Sequence, residues 1–121
     1  MSKILIVEDE KSLSEALKAK LEKEGFDVDV ASNGALGLVL AKEKKPNLII
    51  LDILMPIMDG LTMLDELKKD EQVKGIPVLV LTNLSDDETM SKALQNNTFD
   101  FLVKSDWPLE AIVEKIKEKL A

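Results

Sequence analysis

Five short aliphatic runs, separated by segments of helical length, are the feature that most limits how this sequence can fold. The runs lie at residues 4–7, 28–30, 48–51, 77–81 and 99–103. Strands that alternate with helices favour a parallel sheet, because parallel neighbours need a crossover connection that is usually a helix. A chain of 121 residues is long enough for one hydrophobic core, so we predict a single α/β domain over residues 1–121.

Helices are predicted between and after these runs, at residues 11–24, 34–44, 61–70, 86–95 and 108–120. In the first, Leu13, Leu17 and Leu21 recur at helical spacing, and Gly25 follows where a left-handed residue often ends a helix. The last has Pro108 just inside its start and lysines near its end, which suits both helix termini. Right-handed crossovers then place helices on both faces of the sheet.

The composition of the runs indicates the order of the strands. The first, third and fourth runs are almost entirely aliphatic, as expected for strands that are covered on both faces. The second and fifth alternate with acids, in DVDV at 27–30 and FDF at 99–101, and therefore belong at the edges. We predict a doubly wound parallel sheet in the order 2-1-3-4-5, a flavodoxin-like topology in which ligands bind beyond the carboxyl ends of strands one and three.

The charge balance and the absent residue types exclude several function classes. The net charge of −7 argues against direct nucleic-acid binding, which relies on lysine and arginine at phosphates. Histidine and cysteine are both absent, which leaves carboxylates, lysines and hydroxyls as candidates for chemistry. No apolar run approaches the roughly 20 residues of a membrane helix, and the start MSKILIV does not resemble a signal peptide. We therefore expect a cytoplasmic protein without membrane contact.

Acidic side chains converge at the predicted ligand crevice. Asp52 follows the third run, and Glu8 and Asp9 follow the first. Like charges at close range are unfavourable unless a cation neutralises them or a proton is taken up, and Mg²⁺ is the simplest such cation for oxygen ligands. The fourth and fifth runs lead into Thr82 and Lys104. Such a set can position a phosphoryl group for attack by a carboxylate, although the spacing does not decide which acid attacks.

These pieces resemble, over the whole chain, the CheY-like receiver domain of bacterial response regulators. The resemblance rests on four motifs in order, ILIVEDE at 4–10, LIILDILMPIMDG at 48–60, VLVLTNLSD at 78–86 and DFLVKSD at 100–106. Each motif is modest by itself, whereas four at the correct strand ends are highly specific. The resemblance implies a phosphorylation-switched module of two-component signalling. Such a module catalyses only its own phosphorylation and dephosphorylation and is not an enzyme that turns over a metabolite.

The resemblance also implies roles for residues at the crevice. Asp52 is the phosphoacceptor, and it takes a phosphoryl group from a partner histidine kinase or phosphotransfer protein. Asp9 binds Mg²⁺ directly and Glu8 assists, while Asp52 and the backbone carbonyl of Leu54 complete the protein ligands. Lys104 contacts the phosphoryl group. Because the chain has no histidine, the donor is another molecule.

Switching is likewise implied by the resemblance. Thr82 moves toward the phosphoryl group and Phe101 turns inward, which alters the face formed by the fourth predicted helix, the fifth strand and the fifth predicted helix. Downstream proteins meet such domains on this face. We expect a monomer that can dimerise when phosphorylated, and the sequence leaves open whether the domain stands alone or belongs to a longer regulator.

Several positions depart from the family pattern. Glu8 stands where many members have aspartate, Ser105 where most have proline, and Thr98 where alanine is usual. The last two leave open how the switch operates. Leu54 and Leu84 occupy positions that tune dephosphorylation in the family, and two apolar side chains position no attacking water. We therefore expect a long-lived phosphoryl group.

Other functions fit parts of the pattern. A receiver-shaped interaction module that is not phosphorylated remains the alternative. A flavin site is disfavoured because the acids after strand one would repel a phosphate, and a phosphatase with an aspartate nucleophile would carry a second acid where Leu54 stands. Met55 and Met58 are interpreted as gap-filling side chains, and Phe101 fits a core aromatic as well as a switch.

Overall fold

The computed structural model describes residues 2–52, 57–58, 60–82, 100–103 and 108–120, with the backbone alone for Leu61, Thr82 and 100–103. Strands and helices alternate in these ranges, except that the fourth and fifth strands flank residues 83–99, which lie outside them. The strands are β1 (Lys3–Val7), β2 (Asp27–Ala31), β3 (Leu48–Asp52), β4 (Val78–Thr82) and β5 (Asp100–Val103). The helices in these ranges are α1 (Lys11–Lys23), α2 (Gly34–Lys44), α3 (Gly60–Lys69) and α4 (Leu109–Leu120). The helix predicted at 86–95 lies outside the described residues, so α4 is the fifth predicted helix.

The boundaries of these elements follow the sequence closely. Every described boundary falls within one residue of its predicted position, and Gly25 has the left-handed conformation expected after α1, with φ of 95°. The prediction for Pro108 was wrong in detail, because Pro108 precedes α4. Its carbonyl accepts the N–H groups of Ala111 and Ile112 at 3.0 and 3.1 Å, so it caps the helix from outside. None of the described helices has the length and apolar character needed to span a membrane.

The sheet has the predicted topology. Its strands are parallel and lie in the order β2-β1-β3-β4-β5, with the strands of the second and fifth runs at the edges as predicted. Val7 pairs with Leu51, and Asp52 pairs with Leu81. The carboxyl ends of β1, β3 and β4 therefore meet at one edge, where the crevice was predicted.

The three central strands bury both of their faces. Alternate residues of a strand point to opposite sides, so a fully aliphatic run supplies two cores at once. One core packs against α1 and α4 and takes Ile4, Ile6, Leu48, Ile50, Leu79 and Leu81 from the strands. The other packs against α2 and α3 and takes Leu5, Val7, Ile49, Leu51, Val78 and Val80.

Helix α2 approaches the sheet through glycines. A Cβ atom on Gly37 would lie 2.8 Å from Cγ2 of Val7, and a Cβ on Gly34 would overlap the carbonyl oxygen of Met58. Contacts this short require a residue without a side chain. On the opposite side of the helix, Leu36 and Val39 are 42% and 50% exposed. The glycine face therefore packs inward although the outer face is also apolar.

Candidate functional site

Three carboxylates meet at the carboxyl edge of the sheet. Glu8 and Asp9 follow β1, and Asp52 is the last residue of β3. Because β1 and β3 are hydrogen-bonded neighbours, the residues at their ends lie side by side. One carboxylate oxygen from each of the three residues lies within 4.8 Å of the others. The structure thus brings together the acids that the sequence placed at the crevice.

The acids differ in their exposure. Glu8 is 3% exposed and Asp52 is 6% exposed, whereas Asp9 faces solvent. The backbone N–H of Glu8 donates to the carbonyl of Ala31 at 2.9 Å, which extends the β1–β2 ladder by one bond. Its carboxylate accepts the N–H of Glu10 at 3.0 Å. Glu8 is therefore fixed in the fold at both its backbone and its side chain.

This donor set fits a hard divalent cation. Mg²⁺ takes oxygen ligands at about 2.0–2.1 Å, so opposite ligands of an octahedron are about 4 Å apart. The three carboxylate oxygens lie within 4.8 Å of one another, and they would have to move inward to reach the separations within such an octahedron. A groove of about 430 Å³ between α1 and α2 reaches Glu8 and Asp9, so an ion can enter from solvent. The acidic cluster can therefore hold a metal ion.

The other predicted site residues are only partly described. Thr82 ends β4 next to the end of β3, and Phe101 lies within β5, but the structure describes only their backbones. Leu54 and Lys104 lie outside the described residues, as do Ser105, Thr98 and Met55. The strand register nevertheless pairs Thr82 with Val103, the residue before Lys104. The backbones of β4 and β5 therefore end at the same edge as the acids.

A contact at the start of α2 was missed by the sequence analysis. The N–H of Gly34, at the start of α2, donates to the carbonyl of Met58 at 3.0 Å. Met58 itself packs against the α2–α3 core, as its prediction as a gap-filling side chain requires. Its neighbour Ile57 has φ of 70° and is 84% exposed. No periodicity in the sequence relates residues 34 and 58. The one available sign of this contact was the glycine at the start of the helix predicted at 34–44.

A family model for the response regulator receiver domain matches residues 4–117. That match includes all three acids and every described strand and helix, apart from Lys3 at the start of β1 and the last three residues of α4. The chain belongs to the response regulator receiver domain family. As a receiver domain it is a phosphoacceptor module of two-component signalling, and the alternative of a receiver-shaped module that is never phosphorylated is not favoured.

Relatives of this receiver domain include named regulators and solved structures. It is 33% identical to the DNA-binding dual master transcriptional regulator RpaA of Synechocystis sp., over 99% of this chain and 49% of that protein. It is 32% identical to the DNA-binding response regulator MtrA of Mycolicibacterium paratuberculosis, over 98% of this chain and 51% of that protein. The chain therefore spans about half the length of these curated relatives.

The solved structures agree with the fold. The chemotaxis protein CheY4 of Vibrio cholerae has a TM-score of 0.87 at 26% identity, and the alignment covers 98% of both chains. A CheY-like receiver domain protein of Methanospirillum hungatei has a TM-score of 0.89 at 29% identity, over 99% of this chain and 94% of that one. Neighbours of this similarity support the doubly wound architecture over nearly the whole receiver domain.

Proposed function

We propose that Asp52 accepts a phosphoryl group from a partner histidine kinase or phosphotransfer protein in a reaction that depends on Mg²⁺. The observation that carries this proposal is the cluster of Glu8, Asp9 and Asp52, with oxygens within 4.8 Å, at the crevice of a receiver domain. Asp52 is the last residue of the central strand β3 and therefore lies at the rim of the sheet, the position proposed for the nucleophile. Residues 1–121 are proposed to form one receiver domain.

In the proposed reaction, a carboxylate oxygen of Asp52 attacks phosphorus as the donor's nitrogen–phosphorus bond breaks. The product is an acyl phosphate, and the donor imidazole leaves with the electron pair of the broken bond. Asp9, Glu8, Asp52 and the carbonyl of Leu54 would hold the metal. When bound, Mg²⁺ supplies positive charge that neutralises the phosphoryl oxygens. Asp52 is only 6% exposed, which limits the contact of water with its own carboxylate.

Two further residues are proposed to contact the phosphoryl group. Lys104 pairs with its oxygens, and the hydroxyl of Thr82 donates to them after moving toward the site. Phe101 then turns inward and alters the surface of β5. The register that pairs Thr82 with Val103 supports this arrangement, because it brings both strand ends to the acid edge.

The proposed partners are proteins. A downstream protein would bind the face formed by the helix predicted at 86–95, β5 and α4. The receiver is proposed to be a monomer that can dimerise when phosphorylated. The net charge of −7 supports the proposal that this chain binds no nucleic acid directly. RpaA and MtrA are DNA-binding by name, but the matched part is about half of each protein. A cytoplasmic location is proposed, since kinase donors and acyl phosphates are found there.

Intact-mass spectrometry after incubation with acetyl phosphate tests the proposal. We expect the wild type to gain one phosphoryl group only when Mg²⁺ is present, and Asp52→Asn to gain none. Asp27→Asn is the matched control. It removes the same charge from an exposed position at the start of β2, at the edge of the sheet opposite to the acids. A phosphoryl group that persists in Asp52→Asn would contradict the assignment, and no labelling of the wild type would contradict the function.

A further inference from the structure

Asp9 differs from the other two acids of the cluster in how it is held. Its side chain faces solvent, whereas Glu8 and Asp52 are buried. A side chain in solvent has few packing contacts, so the position of its carboxylate depends on its backbone. Asp9 lies in the connection of residues 8–10 between β1 and α1. The geometry of this short connection therefore determines where the third acid of the cluster lies.

Backbone hydrogen bonds fix both ends of this connection. At its start, the N–H of Glu8 donates to the carbonyl of Ala31 at 2.9 Å. At its end, the carbonyl of Glu10 accepts the N–H of Ser14 at 3.1 Å. Ser14 is only 4% exposed, so packing also holds the first turn of α1 in the fold. Asp9 is the single residue between these two fixed ends.

The side chain of Glu8 closes a ring across Asp9. Its Oε1 atom accepts the N–H of Glu10 at 3.0 Å. A side-chain oxygen that accepts a backbone N–H two residues further on makes a local turn, as aspartate does in an Asx-turn. The hydrogen bond spans the backbone of Asp9 and restricts its φ and ψ. A side chain therefore restrains Asp9 in addition to its bonded neighbours.

The carboxylate that makes this hydrogen bond also belongs to the acid cluster. One oxygen of Glu8 lies within 4.8 Å of oxygens from Asp9 and Asp52. An ionised carboxylate has two oxygens and about four lone-pair sites, so it can accept from an N–H group and still face a cation. Groups that orient metal ligands through hydrogen bonds typically change metal affinity about 10- to 100-fold.

We propose that Glu8 is a positioning residue, whose hydrogen bond with the N–H of Glu10 sets the backbone of Asp9 and thereby the affinity for Mg²⁺. This inference rests on the proposed function, in which Asp9 is a metal ligand. The proposed function gives Glu8 a place at the ion, and the hydrogen bond gives it a second role that acts on the neighbouring ligand. Mg²⁺ demands near-ideal octahedral geometry, so a displaced Asp9 weakens binding.

Isothermal titration calorimetry with Mg²⁺ on the full chain tests this role by comparing Glu8→Gln with Glu8→Ala. Both variants remove the charge of Glu8, but only glutamine keeps an oxygen that can accept the N–H of Glu10. We expect both to bind Mg²⁺ more weakly than the wild type, and Glu8→Ala to bind about tenfold more weakly than Glu8→Gln. Glu8→Met has the length of glutamine without its oxygen. It should resemble Glu8→Ala, and it covers the case in which the alanine variant does not fold.

Amide hydrogen exchange in a chelator measures the hydrogen bond itself. The N–H of Glu10 should be protected in the wild type and in Glu8→Gln, and should lose that protection in Glu8→Ala and Glu8→Met. Asp70→Ala is the matched control, because the Asp70 carboxylate also accepts an N–H two residues further on, that of Gln72 at 2.8 Å, but lies after the carboxyl end of α3. It should lower the urea midpoint of unfolding and keep a Kd for Mg²⁺ within about twofold of the wild type.

The outcomes separate this role from the proposed function. Equal Kd values for Glu8→Gln, Glu8→Ala and Glu8→Met overturn the positioning role and leave the proposed function intact. The positioning role is also overturned if Glu8→Gln binds more tightly than Glu8→Ala while its Glu10 N–H is unprotected, because the glutamine oxygen then acts on the ion alone. An equal loss of affinity in Asp70→Ala would assign the effect to global stability. A wild type that binds no Mg²⁺ overturns both the positioning role and the proposed function.

Discussion

Single residues at the site concentrate negative charge where the strands are otherwise aliphatic. Glu8 and Asp52 are almost completely buried, and each follows a run of residues that fill the cores. Two unit charges about 5 Å apart repel by roughly 3 kcal/mol at an effective dielectric constant near 20, before screening by salt. This repulsion is an unfavourable contribution to folding when no metal is bound.

Asp52→Asn should accordingly stabilise the metal-free protein. We expect its free energy of unfolding in a chelator to exceed that of the wild type by about 1–2 kcal/mol, because the substitution removes one of the repelling charges. Urea denaturation followed by circular dichroism measures this difference. Asp27→Asn, which removes an exposed charge, should change stability by less than about 0.5 kcal/mol. A less stable Asp52→Asn in chelator would show that repulsion is not the dominant effect.

Ile57 has a backbone conformation that is unfavourable for its β-branched side chain. Ile57→Gly should raise the free energy of unfolding by about 1 kcal/mol, because glycine adopts positive φ without strain and an 84% exposed side chain has little packing to lose. Val39→Gly is the matched control. Val39 is also exposed and β-branched but lies within helix α2, so its replacement should destabilise the protein. Equal losses of stability in both variants would contradict strain at Ile57.

Helix α2 shows how far periodicity predicts an element. Residues 34–41 contain no polar side chain, so the pattern predicts a helix but does not identify its inward face. The structure identifies that face by Gly34 and Gly37, which allow close contact with Met58 and Val7. When only the sequence is considered, a glycine inside a helical pattern counts against the prediction of a helix there. Here its cost in helix propensity is offset by packing that only the folded chain reveals.

Helices α2 and α3 are linked at their carboxyl ends by Asp70. The Asp70 carboxylate accepts the N–H of Gln72 at 2.8 Å and lies 3.4 Å from the ammonium group of Lys42. The hydrogen bond from Gln72, together with the nearby Lys42, holds the pKa of Asp70 below its usual value. The charged form of Asp70 is therefore favoured in the folded state.

Asp70→Asn should lower stability in a way that depends on pH. A carboxyl whose folded pKa is lowered stabilises the fold above its unfolded pKa, near 4, and loses this contribution as the pH falls through the folded pKa. The difference between the wild type and Asp70→Asn should thus be present at pH 6–7 and vanish toward pH 2. Urea midpoints across this range measure it, with Asp65→Asn on the exposed side of α3 as the control. A difference that grows at low pH would reverse the assigned sign.

For the whole molecule, the sequence predicts the order of the strands and the position of the acids better than it predicts contacts made by the loops. The strand order follows from which runs are fully aliphatic, because burial on both faces selects that composition. The position of the acids at the rim follows from the parallel topology. The contact between Gly34 and Met58 does not follow, since it joins residues that are distant in sequence and depends on tertiary packing. The roles of Thr82, Phe101 and Lys104 stay predictions, because their side chains lie outside the described residues.

The charge of the whole receiver domain determines how its response to Mg²⁺ must be measured. A net charge of −7 lets any salt stabilise the fold slightly by screening. A single ion that binds only the folded state acts differently. Above its Kd, it adds about 1.4 kcal/mol of unfolding free energy for each tenfold rise in concentration.

We expect this slope for the wild type when Mg²⁺ is titrated at constant ionic strength, balanced with NaCl, and unfolding is followed in urea. Asp52→Asn should show a much smaller slope, because one carboxylate of the cluster is gone. Asp27→Asn should keep the slope of the wild type, since Asp27 lies at the start of β2, at the edge of the sheet opposite to the acids. Equal slopes in all three proteins would place the ion elsewhere on the acidic surface. A flat response in the wild type would mean that the three carboxylates, although close together, do not form a Mg²⁺ site.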